Sequence, residues 1–175
     1  MDFPEHAFWD FSLAFYRKPG VADACLYLQD QYGLNVNILL LCIWSGKTTD
    51  GPLTTMQLEA CTQRIRDWEE KVIQPLRAIR RAVRHETLGV PEFIAEAFHL
   101  HVESSELEAE HVEQLMLADL VAGAGVIDNP EPAPVVLANL QAYIAIAGVH
   151  QEPQFKDCLD TLIRAACPGT EFVFT

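Results

Sequence analysis

The chain has 175 residues, half of them hydrophobic and 21% charged, with a formal net charge of -13. That length and balance suit a globular protein with a core of its own and exclude a disordered chain. The surplus of negative charge argues against broad binding to nucleic acid or to an anionic membrane surface. The five cysteines (Cys25, Cys42, Cys61, Cys158 and Cys167) are odd in number and form no C-x-x-C pair. They read as reduced, mostly buried thiols in a reducing cytosol. The first residues, MDFPEHAFWDF, carry no basic leader and no small-residue cleavage site, so no signal peptide is expected. The most apolar run, Val36 to Trp44, would rise only about 14 Å as a helix, under half the core of a bilayer.

In chain order, the first helix is expected from about Pro4 to Lys18, with Asp2 as a cap and Pro19-Gly20 as its end. Its apolar arc is wide. Phe8, Phe11 and Phe15 form one stripe and Trp9, Leu13 and Tyr16 an adjoining one. Such an arc is either sandwiched in the core or partly a partner-binding surface, for which Trp9 and Tyr16 are the candidates. The second helix runs from about Val21 to Tyr32, stopped by Gly33. The third starts after Asn35 as N-cap and runs to about Ser45. It is apolar all round, so it should lie at the centre, wrapped by the others.

Thr54 to Gln57 reads as a capping box. The helical pattern beyond it carries Pro75, which predicts two helices, about 55–73 and 75–85. A short helix is expected over about Pro91 to Val102. A second capping box at Ser105 and Glu108 should then open a helix to about Ala122, stopped by Gly123 and Gly125. Pro134 opens a helix that Gly148 closes, and the last runs from about Pro153 to Ala166. The tail PGTEFVFT is short and reads as extended. No internal repeat and no convincing period-two alternation appears. The expected fold is therefore all-α: a compact single-domain bundle of about eight or nine helices around the apolar helix 35–45.

The segment FWDFSLAFYRKPGVADACLYLQDQYGLNVNILLLCIW, residues 8–44, together with WEEKVIQPLRAIRRAVR, residues 68–84, resembles a family of small proteobacterial proteins of unknown function. The resemblance extends to about residue 125. It implies a bacterial cytoplasmic protein and supplies no activity, cofactor or catalytic residue.

Four patterns bear on chemistry. Arg77, Arg80, Arg81 and Arg84 fall within about a 100° arc of one helix face, opposite Leu76, Ile79 and Val83. Arginine forks bind carboxylates and phosphates, so this face is a candidate for an acidic peptide, a phosphorylated ligand or a nucleic-acid backbone. The competing reading is pairing with the acidic residues after Ser105 (Glu106, Glu108, Glu110, Glu113 and Asp119), inside one molecule or across a dimer. The second pattern is a pair of Glu-x-x-His matches, at Glu96 to His99 and Glu108 to His111. A di-iron bundle uses two such motifs, each on its own long helix. Here they lie on consecutive segments that only a turn near Ser104 would bring together. His99 and His101 diverge by about 200° on a helix, which is poor for chelation. No metal ion and no cofactor is expected.

Third, no nucleophile elbow and no context for a catalytic cysteine occurs. Fourth, Gly46-Lys47-Thr48 resembles the end of a P-loop but lacks its upstream glycine and strand, and Gly123-x-Gly125 is a helix stop. Asn37, inside the most apolar helix, reads as an ordering hydrogen-bonding residue or as part of a ligand pocket. The leading functional expectation is a small helical binding or regulatory protein acting through protein–protein contacts, with a protein partner or as a homodimer. The alternatives are an enzyme on a small anionic substrate held by the Arg77–Arg84 face and, weaker, nucleic-acid or phosphate binding there.

Overall fold

The computed structural model describes residues 3–4, 6–85, 88–121 and 128–169. Among these it is helical throughout, with no strand. Helix α1 spans Ala7–Tyr16, α2 Val21–Tyr32, α3 Val36–Thr48, α4 Thr55–Trp68, α5 Gln74–His85, α6 Glu92–Val121, α7 Pro132–Ala147 and α8 Pro153–Ala166. A π turn, Glu69–Ile73, joins α4 to α5 without a break, so the described residues form seven separate rods.

Seven is fewer than the eight or nine expected, because two expected breaks do not occur. Proline at position 75 ought to clash with a carbonyl one turn back. The π turn just upstream, in which the Gln74 amide donates to the Glu69 carbonyl, widens the ring there and lets the helix continue. At Ser105 the expected cap does not form. Its hydroxyl donates back to the His101 carbonyl, 2.9 Å away, within one uninterrupted α6 of 30 residues. Gly123, Gly125 and Asp2 lie outside the described residues, as does all but the start of the expected extended tail.

Elsewhere local chemistry sets the boundaries. Asn35 caps α3 by accepting from the Ile38 amide at 3.0 Å, and Thr54 with Gln57 completes the capping box of α4. Gly33 closes α2 at φ 66°, with the Schellman bonds from its own amide to Gln29 and from Leu34 to Leu28. Helix α1 starts later than expected, at Ala7, with His6 rather than Asp2 as its cap.

Helix α3 is the centre. Asn37 to Ile43, Ser45 and Gly46 are all buried, packed by α7 on one side and by α1, α2 and α6 on others. The crossing with α7 is close. A Cβ on Gly46 would lie 2.6 Å from Val136 Cγ2 and 2.7 Å from the Val136 nitrogen, so only glycine fits. Polar ties hold this crossing. Asn139, fully buried, accepts from the Leu53 amide at 2.7 Å and donates to the Cys42 carbonyl at 3.0 Å. Lys18 and Lys47 donate to the carbonyls of Ala165 and Ala166, where the α8 dipole favours cations. All five cysteines are free and buried. No helix among the described residues is long and apolar enough to cross a membrane.

Helix α5 has α6 as its main packing partner. Together they form an arm. Its buried apolar residues, Ile73, Ala95, Val102 and Ala109, stand outside the continuous apolar cluster that α1 to α4, α7 and α8 share with the end of α6.

Candidate functional site

Where the arm meets α1, α2 and α3, a cleft of about 530 Å³ opens. Trp9, Leu13 and Tyr16 of α1, Leu26 of α2, Val36 and Leu40 of α3, and Leu100 and Leu107 of α6 give it apolar walls. Ser12, Asn37 and Gln114 form its polar floor, and Arg77, Arg80, Glu103, Glu106 and Glu110 line the side nearest α5. The wide apolar arc of α1 is divided between the core and the cleft. Phe8 and Phe15 are fully buried in the core, whereas Trp9 and Tyr16 stand half-buried at the cleft. Trp9 stacks on His111, with ring centres 4.1 Å apart and planes 3° from parallel. Burial pushes the Tyr16 hydroxyl well above its ordinary range.

One edge of the arginine stripe, Arg77 and Arg80, is turned inward. Arg77 is 6% exposed, while Ile79 on the opposite side is 44% exposed. Arg77 donates from Nε to Glu106 at 3.2 Å and from Nη2 to Glu110 at 3.0 Å, and its Nη1 lies 3.7 Å from Glu69. Arg80 grips Glu106 with two nitrogens, Nε on Oε2 and Nη2 on Oε1. Burial alone would lower the Arg77 guanidinium, but Glu110, Glu69 and Glu106 hold it above its ordinary value. Burial pushes Glu110 up, against the pull of Arg77. Arg81 is exposed and pairs with Asp30 at 2.7 Å, and Arg84 is exposed. The four arginines thus divide: two are held by carboxylates at the cleft wall and two face outward.

Behind the floor lies a feature that sequence reasoning missed. Glu113 is 0% exposed. Its Oε1 accepts from Asn35 Nδ2 at 2.7 Å and Asn37 Nδ2 at 3.3 Å, while Oε2 has no partner. The same Asn35 amide reaches Glu69 at 3.3 Å, and the Tyr143 hydroxyl accepts from the Asn35 backbone amide. Burial and the neighbouring Glu69 push the Glu113 carboxyl up to about 8, so near neutrality it keeps its proton. Asn37 in turn accepts from Gln114 at 2.8 Å, and Gln114 accepts from Ser12 at 3.1 Å. A continuous polar chain therefore runs from the cleft floor to the buried carboxyl. Two asparagines bracketing the start of a wholly apolar helix were its only trace in the sequence. Asn37 is hydrogen-bonded in the core, and it also lines the cleft.

The two Glu-x-x-His matches lie on one helix, with no turn at Ser104, so their histidines sit about 18 Å apart along its axis. Among the described residues no group of three or more His, Cys, Asp and Glu side chains stands placed to hold a metal ion. Gly46 and Lys47, the superficial P-loop match, make the α7 crossing and the tie to α8. No curated protein and no solved structure matches the chain. The family described as "Protein of unknown function (DUF2390)" matches residues 7–117, a span that contains every described residue lining the cleft, and the chain belongs to that family.

Proposed function

We propose that the protein is a small helical binding module of the cytoplasm, acting through protein contacts, and that the cleft between the arm and α1–α3 receives its partner. One observation carries this reading. Leu100 and Leu107 are 58% and 48% exposed on an ordered helix, and they continue the apolar walls formed by Trp9, Leu13 and Tyr16. Exposed apolar side chains that adjoin a cleft, rather than being scattered singly, mark interaction sites. The anion-binding and enzymatic alternatives gain less support, because Arg77 and Arg80 already direct their forks to Glu69, Glu106 and Glu110. A nucleic-acid role is further disfavoured by the net charge of -13.

The test is a photo-crosslinking residue placed at Leu100 in the living host, with one at Met56 as control, since Met56 is the more exposed of the two and lies away from the cleft. The expected result is a cross-link from position 100 to one other polypeptide, absent from position 56 and lost on Leu107→Ser. A cross-link only to a second copy of the chain replaces the partner by a homodimer. No cross-link from position 100, with the fold intact, refutes the reading.

A further inference from the structure

Resting on that reading of the cleft, we propose that its occupant is a basic amphipathic helix of a partner protein, laid lengthwise along the exposed face of α6. The argument is in the spacing. Seven residues bring a helix back to within about 20° of its starting direction. Phe93, Leu100 and Leu107 are seven apart and all exposed, so they form an apolar row along α6. Glu96, Glu103 and Glu110 are also seven apart and form a second row, about 60° round from the first. Apolar and acidic rows thus run side by side for roughly 21 Å, the length of about four turns of a facing helix.

Charge decides what kind of helix. At the cleft wall the carboxylates of Glu103, Glu106 and Glu110 outnumber the guanidiniums of Arg77 and Arg80 by one, and Glu96 adds a further negative charge two turns along α6. Glu96 and Glu103 are exposed beside the apolar row. An incoming helix that buries Leu or Phe against Leu100, Leu107 and Trp9 would bring its flanking residues against Glu96 and Glu103. Lysine or arginine there is attracted; aspartate or glutamate is repelled. An extended strand has nothing comparable to pair with, since the described residues present no sheet edge.

The experiment uses two synthetic helical peptides of about 15 residues, each with one leucine stripe, flanked by lysines in one and by glutamates in the other. Binding to the full-length protein is followed by calorimetry at about 0.1 M salt. The lysine peptide is expected to bind at least about tenfold more tightly than the glutamate peptide. Leu100→Ser/Leu107→Ser should weaken it by about tenfold or more, Glu96→Gln/Glu103→Gln should remove most of the preference for lysine, and Met56→Ser should change nothing. Equal binding of both peptides overturns the proposal. So does unchanged lysine-peptide binding in the leucine variant, which would mean attraction to an acidic protein and nothing more. Concentration-dependent dimers that the leucine variant abolishes would overturn it in favour of a second copy. A cross-link from position 100 to another polypeptide, combined with no lysine preference, would sink this proposal and leave the binding reading standing.

Discussion

Replacing Glu113 by glutamine isolates a single proton. In the folded protein the Glu113 carboxyl is held up at about 8, against an ordinary value of 4.5, first by burial and then by Glu69. The unfolded chain releases that proton near the ordinary value. The folded state keeps it until higher pH, so folding is penalised as pH rises between the two. The penalty is absent below about 4.5, grows at up to ~1.4 kcal/mol per pH unit, and levels off above about 8. The full span corresponds to roughly 5 kcal/mol as an upper bound, since local relaxation reduces it. Glutamine keeps the acceptor for Asn35 and Asn37 and does not titrate. E113Q should therefore match the wild type within about 1 kcal/mol at pH 5 and exceed it by several kcal/mol at pH 8. Urea unfolding at pH 5, 6, 7 and 8 gives the difference directly, and contributions from titrating groups that do not interact with Glu113 cancel. Two stability profiles that run parallel across this range would refute the reasoning.

Three further outcomes are expected. Arg77→Met leaves Glu69, Glu106 and Glu110 facing one another and should cost about 3–5 kcal/mol, whereas Arg81→Ala, which breaks an exposed pair with Asp30, should cost under about 1 kcal/mol; urea midpoints compare the two. Gly46→Ala sets a methyl group against the Val136 backbone, and calorimetry should show a loss of about 3 kcal/mol that Val136→Ala does not restore, because the clash includes main-chain atoms. Burial pushes the thiols of Cys25 and Cys61 up to about 12 and about 11, so a thiol reagent near neutral pH should label almost nothing in the native protein and all five cysteines once it is denatured.

Much of the fold was readable where one or two neighbouring residues decide the outcome. Asn35, Thr54, Gln57 and Gly33 act through their own hydrogen bonds or their own φ, and each does what its identity dictates. The apolar run after Val36 could lie nowhere but inside. The misreadings came where distant residues outweigh local preference. Ser105 is a good cap by itself, yet Val102 and Ala109 on either side of it are both buried in the arm, and one straight helix satisfies both. Assuming a break there cut the row Phe93, Leu100 and Leu107 in two and hid it. The arginine face was visible as a pattern, but its direction depends on Glu106 and Glu110, some thirty residues onward, and a helical wheel does not say which side a neighbour occupies. The Glu113 carboxyl was invisible for the same reason: its environment is assembled from α3, the π turn and α6.

The rod from Thr55 to His85 has its foot among the packed helices and its far end in the arm. Such a rod bends most readily at its π turn, where sharp kinks in helices concentrate. A tilt of about 10° at Ile73 swings the end of α5 by roughly 3 Å, close to the thickness of one side chain. The angle at that turn therefore bears on the width of the cleft, one side of which Arg77 and Arg80 line.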